Sequence, residues 1–194
     1  MILSTAVPVV RRSALALLAG VLVLGYAADQ LVKAWAVAAL EPGQPRELIG
    51  SVLRLHLTRN PGAAFSIATN ATWVLTIIAI VVIGATLYVA RRLRSRAWAC
   101  ALGLLLAGAL GNLTDRFFRA PGGGKGHVVD MLELPNWPIF NVADICVVTA
   151  ACLIALLAFR GIGVDGTRAS GDDAKATEPA GATADGIRPE KSGG

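Results

Sequence analysis

The sequence predicts an all-α polytopic membrane protein, with four transmembrane helices and a small extracytoplasmic β-sheet cradle. Three observations predict it. Of 194 residues, 55% are hydrophobic and only 16% charged, against about 25% charged in ordinary soluble domains. The apolar excess, which gives a mean hydropathy of +0.61, is gathered into four runs. Each run approaches the ~20 residues a helix needs to cross a ~30 Å hydrocarbon core. Finally, arginines crowd the one short link between runs, that between the second and third, as the positive-inside rule requires of a multi-pass protein.

The elements follow in order. Residues 1–12 form a short N-terminal segment ending in Arg11 and Arg12. The first run extends from about Ser13 to Val37 and carries Asp29, Gln30 and Lys33 near its end. A rival reading takes it as a cleavable secretory signal, with Gly25-Tyr26-Ala27 as a small-x-small site. Three further spans and the polar residues at its end favour retention. In the loop that follows, Leu53-Arg54-Leu55-His56-Leu57-Thr58 alternates apolar and polar residues. That period marks a strand with one buried face. Asn60-Pro61-Gly62 then ends it, with Asn60 held extended by the proline after it.

The second run, about Ala71 to Ala90, and the third, about Ala97 to Leu113, carry no charge. The fourth, about Asn141 to Phe159, carries only Asp144 near its start. Trp35, Trp73, Trp98 and Trp137 each fall near a predicted helix end, where indole rings prefer to sit. Residues 13–160 are therefore the membrane domain. Residues 161–194, rich in Gly, Ala, Asp and Thr and without an aromatic residue, read as a disordered cytoplasmic tail.

Arg91, Arg92, Arg94 and Arg96 lie in one short link, Arg11 and Arg12 precede the first span, and Arg160 follows the fourth. This bias places both termini in the cytoplasm and the two long loops outside. The net charge of +5 is thus a topology signal, not a nucleic-acid footprint. Cys100, Cys146 and Cys152 all sit inside apolar runs with no metal-type spacing, so neither a disulfide framework nor a metal site is expected. No cofactor is expected either.

Eight polar residues gather on the outer side: Asp29, Asn60, Asn112, Asp115, Arg116, Asp130, Asn141 and Asp144. Ionisable groups near membrane depth are costly and suggest function, yet each has a plainer reading. Asp29 and Lys33 are four apart on a helix and can pair. Asn112 can bond between helices. Asp115 and Arg116 can cap a helix end or pair locally. Asn141 can cap the fourth span, with Asp144 three residues on completing a capping box. Asp130, between Val128-Val129 and Met131-Leu132, has the weakest structural explanation. Two carboxylates brought together share a proton, because like charges at close range cannot both ionise. Such a pair supplies a base for water and an acid for the substrate.

Five segments in this order resemble the lipoprotein signal peptidases, or signal peptidase II: Asp29-Gln30-Leu31-Val32-Lys33, Thr58-Arg59-Asn60-Pro61-Gly62-Ala63-Ala64-Phe65-Ser66, Gly108 to Arg116, Val128-Val129-Asp130, and Phe140-Asn141-Val142-Ala143-Asp144. The resemblance covers about Ala14 to Phe159. It implies a membrane aspartic endopeptidase that removes signal peptides from diacylglyceryl-modified bacterial prolipoproteins, cutting before the lipidated cysteine. It implies Asp130 and Asp144 as the catalytic pair, and Asn60, Asn112, Arg116 and Asn141 as substrate-binding residues. Asp29, Lys33, Gly111 and Ala143 form the supporting shell, and Asp115 becomes structural. The implied partners are prolipoprotein substrates and membrane lipid, with the chain acting as a monomer. The link from Asp130 to Asp144 is short, and the glycines from Gly122 to Gly126 lengthen the hairpin before it. Both features bear on loop shape and substrate preference rather than on the pair.

A carrier using the same aspartates as a proton relay would need polar residues at mid-span, and the second and third runs have none. A non-catalytic scaffold held by polar glue is a second rival. A serine–lysine peptidase through Ser66 lacks a nearby lysine.

Overall fold

The computed structural model describes residues 6–62 and 72–168. Ala63 to Ser66 of the second motif, and the tail from residue 169, lie outside the described residues. Four helices carry the architecture: α1 (Ala6–Ala39), α2 (Thr72–Ala90), α3 (Arg96–Phe118) and α4 (Val142–Phe159). All four are long and apolar enough to cross a membrane. Three strands, β1 (Arg46–Ile49), β2 (Leu53–Asn60) and β3 (Val128–Glu133), form an antiparallel sheet in the order β1-β2-β3.

Helix α3 is the hub, packed against α1, α2 and α4. Small residues let its neighbours approach, as helix association in lipid requires. A Cβ at Gly108 would collide with the Ala143 carbonyl, and one at Gly111 with the Asp29 carboxylate. These two glycines therefore bring α4 and α1 to α3 at the level of the polar residues. Helix α2, by contrast, leaves Trp73, Val74, Ile77, Ile78, Ile80, Val81, Leu87 and Tyr88 exposed. That surface suits hydrocarbon, where a helix satisfies its own backbone and needs no polar face.

Two apolar clusters mark the two ends of the bundle. Ala14, Leu18, Ala90, Leu93, Ala99, Leu102 and Leu106 join α1, α2 and α3 at one end. Ala36, Leu40, Leu57, Val129 and Met131 join α1 to the sheet at the other. The strand read over 53–58 runs on to Asn60, and its partner β3 contains Asp130 (Thr58 faces Asp130 across the ladder). Asp130 thus sits on a paired strand rather than in a loop, which fixes the direction of its side chain.

Residues 161–168, read from composition as the start of a disordered tail, fold back instead. The Val164 carbonyl accepts the backbone N–H groups of Arg94 and Ser95, each at 3.0 Å. The Trp98 indole donates to the Ile162 carbonyl at 2.8 Å. Burying Val164 against the Leu93 cluster and satisfying these groups offsets a weak intrinsic propensity.

Candidate active site

Every residue expected at the site, on α1, β2, α3, β3 and α4, falls at the sheet end of the bundle. The link to β3 is set by the glycine hairpin. Gly124 and Gly126 donate to the Arg116 carbonyl at 3.0 and 2.8 Å, and Thr76 of α2 donates to the Gly124 carbonyl at 2.5 Å. The Asp115 carboxylate then accepts the Val129 N–H at 3.2 Å, one residue before Asp130.

Asp130 is 1% exposed. Its carboxylate accepts from the Asn60 amide at 2.8 Å and from the Asn141 amide at 2.6 Å. Burial pushes its pKa up to about 6; these two amides hold it down, and the charge of Asp144 raises it further. Asp144 lies in the first turn of α4. It accepts from the Asn112 amide at 2.9 Å and from the Asn141 backbone N–H at 3.2 Å. The reciprocal bond, Asp144 N–H to Asn141 Oδ1 at 3.0 Å, completes a capping box.

The plain cap and the carboxylate pair are therefore one arrangement. Asn141 caps the helix with its oxygen and spends its amide hydrogens on Asp130 and on Asn112 Oδ1, the latter at 3.2 Å. It touches one carboxylate with its side chain and the other with its backbone. The same residue that starts α4 ties the two acids together.

A second charged group lies behind the first. Lys33 is fully buried, and its ammonium meets Asp29 at 2.9 Å, Asp115 at 2.9 Å and Asn112 Oδ1 at 3.1 Å. An ammonium has three protons, so it is saturated. Asp29 also accepts from the Ala143 N–H at 2.9 Å and the Gln30 amide at 3.0 Å. It thereby binds the N-terminus of α4, where the helix dipole favours an anion. Asp115 also pairs with Arg119 at 2.5 Å. Gln30 stands in the first motif without a role of its own, and Arg119 was not expected at the site, though its four-residue offset from Asp115 is a signal that would have found it.

Arg116 differs from the other cations. Its Nε is buried with no hydrogen-bond partner, although the charges of Asp130 and Asp144 both act on it. An apolar groove of about 220 Å³ opens on Asp144, lined by Trp137, Phe140, Ile145, Val148 and Thr149. Its helical members recur at three- to four-residue spacing after Asp144, a pattern that the sequence alone carries. Among the described residues no three His, Cys, Asp or Glu side chains converge to hold a metal.

Known proteins resemble this chain in sequence and in fold. Residues 21–160 match the signal peptidase (SPase) II family. A lipoprotein signal peptidase of Rhodococcus jostii (strain RHA1) is 52% identical over 158 residues, covering 81% of this chain and 78% of that protein. One from Leifsonia xyli subsp. xyli is 46% identical over 180 residues, covering 91% and 83%. A solved bacterial membrane enzyme superposes with a TM-score of 0.63 at 27% identity, covering 76% of this chain and 93% of that one. The chain belongs to the signal peptidase II family of membrane aspartic peptidases.

Proposed function

We propose that this chain removes signal peptides from diacylglyceryl-modified prolipoproteins, cutting before the lipidated cysteine, with Asp130 and Asp144 as its catalytic pair. The observation that carries the assignment is the Asn141 bridge, which holds both carboxylates at once while no cation forms an ion pair with either among the described residues.

Asp144 is the base. It sits at the positive end of a helix dipole, worth ~0.3–1 kcal/mol to a carboxylate, and accepts N–H bonds from the Asn112 amide and the Asn141 backbone. Asp130, buried and raised to about 6, keeps the shared proton and is the acid. Asp144 draws a proton from water as the water attacks the scissile carbonyl carbon. Asp130 donates its proton to the carbonyl oxygen, giving a neutral tetrahedral intermediate. As the C–N bond breaks, Asp144 gives its proton to the leaving amine, and a hydroxyl of the intermediate returns its proton to Asp130 as the new carboxyl forms, which restores the pair.

Asn112 and Asn141 act by orienting the acids, since both spend their amides on them. Arg116, with its unpartnered Nε, takes the substrate's ester or peptide carbonyl. The groove along Ile145 and Val148 holds an acyl chain with one side open to the bilayer. The arginine-rich link lies at the far end of α3, which supports cytoplasmic termini and an extracytoplasmic site.

The test is Asp130→Asn and Asp144→Asn, each assayed on lipidated prolipoprotein. Each should lower kcat by about 10²–10⁴, the range of a lost general acid or base, with folding retained. Near-normal turnover in either variant removes that residue from the pair.

A further inference from the structure

The end of the bundle away from the aspartates carries a groove that peptide cleavage leaves unused. It measures about 350 Å³ and is lined by Tyr88, Val89, Arg92, Val164 and Asp165. That volume lies in the lower part of the ~300–1,000 Å³ range of ligand sites. Tyr88 and Val89 belong to the last turn of α2, and Arg92 follows it. Val164 and Asp165 belong to the folded-back segment, which lies beyond the residues matched by the family. The groove is therefore built by the end of α2 together with an extension beyond the family match.

The extension is held firmly. Besides the bonds from Arg94, Ser95 and Trp98, Asp165 accepts from the Thr167 N–H at 3.1 Å and its hydroxyl at 2.7 Å. These contacts set the direction of its carboxylate. Arg92 and Asp165 line one groove with opposite charges, yet no ion pair among the described residues joins them. Arg91 lies over the Tyr88 ring at 5.8 Å, and Arg94 also contributes positive charge near Asp165. The groove thus offers separate positive and negative poles with an apolar floor between them. It sits at the end of a candidate membrane span, where phospholipid headgroups lie. Exposed Leu87 and Tyr88 continue its apolar surface along α2.

We propose that this groove binds the headgroup of a phospholipid carrying both a phosphate and a primary ammonium, as phosphatidylethanolamine does. The phosphate lies on Arg92, with Arg91 adding attraction. The ammonium donates to Asp165, and the acyl chains follow Val89 and Leu87 into the bilayer. An anionic lipid without an amine leaves Asp165 facing like charge. A choline headgroup has no N–H to donate.

The test uses the full chain in detergent, stripped of lipid and titrated by native mass spectrometry. The probes are phosphatidylethanolamine, phosphatidylglycerol and phosphatidylcholine with the same acyl chains. Wild type should retain phosphatidylethanolamine most strongly. Asp165→Asn should reduce that preference about tenfold, the scale of one charge-assisted bond. Arg92→Gln should weaken all three lipids. Both residues are exposed, so both variants should fold and cleave substrate normally, which melting and a peptidase assay check. A wild-type preference for phosphatidylglycerol, or equal phosphatidylethanolamine binding by wild type and Asp165→Asn, overturns the proposal. So does uniform binding of all three lipids by every protein, which would mean general coverage of the apolar belt.

Discussion

The protein holds two pairs of aspartates at the sheet end of the bundle, three of the four acids buried and Asp144 half-buried, and the pairs differ in what neutralises them. Asp29 and Asp115 share Lys33, and Asp115 has Arg119 as well. Two negative charges meet two positive ones, and every proton of the lysine is used. Asp130 and Asp144 are held instead by Asn60, Asn112 and Asn141. Amides orient a carboxylate without cancelling its charge, so a proton can still move on and off the pair. Asn112 joins the groups side chain to side chain, accepting from Lys33 and donating to Asp144. Asp115, placed in a motif beside Arg116, falls on the cation-paired side of this contrast. A cation-paired carboxylate in a sealed site is a strut; an amide-held one facing a groove can exchange protons with substrate.

Breaking the sealed group should produce the largest change in stability. Lys33→Met leaves two buried carboxylates short of a cation, a loss of about 3–5 kcal/mol for a buried pair broken on one side. Thermal melting in detergent should show it directly. Adding Asp29→Asn to Lys33→Met removes one uncompensated charge and should recover part of the loss. If Lys33→Met melts like wild type, the group is not a strut, and the distinction between the two pairs fails.

The open pair should show its character through pH. Asp130 has an ordinary pKa of 3.8 when unfolded and about 6 when folded. A raised carboxylate stabilises the fold when protonated, so that contribution is complete below about pH 4. It is lost as pH rises through about 6, because the unfolded chain ionises first. Asp130→Asn has no such titration. Relative to wild type, the variant should therefore gain about 2 kcal/mol between pH 4 and pH 7, while losing activity throughout. A stability difference that stays flat over this window would mean that Asp130 ionises like an exposed acid, and the acid role would pass to its partner.

The two pairs were unequally legible in the sequence. The four helices follow from apolar runs that no soluble fold requires, and the strand over Leu53 to Thr58 follows from its alternation. Asp29 with Lys33 reads from a four-residue offset, and Asn141 with Asp144 from a capping box. All of these are local signals. The bonds from Lys33 to Asp115 and Asn112 span long stretches of chain, and that from Asn141 to Asp130 joins a helix cap to a strand that pairs with distant β2. They depend on close helix approach at Gly108 and Gly111, which no periodicity records. The folded-back segment 161–168 was hidden for another reason. Its composition is that of a linker, and it is ordered by three hydrogen bonds to partners on the α2–α3 link and α3. Ile145 and Val148 show their helical spacing in the sequence, but the fold is needed to bring Trp137 and Phe140 beside them as a groove at Asp144.

Arg116 offers the smallest and most discriminating test of the comparison. It is the cation nearest in role to the open pair, yet it forms no ion pair with either acid among the described residues, and its Nε has no partner. If it binds substrate, Arg116→Lys keeps the charge but loses the planar fork and the buried Nε–H. KM for lipidated substrate should rise about five- to tenfold, about one hydrogen bond's worth, with kcat within about twofold. A fall in kcat as large as that of Asp144→Asn, with KM unchanged, would mean that Arg116 acts only in the transition state. The open pair would then have its own cation after all, engaged at the moment of reaction, and the difference between the two pairs would be one of timing rather than of composition.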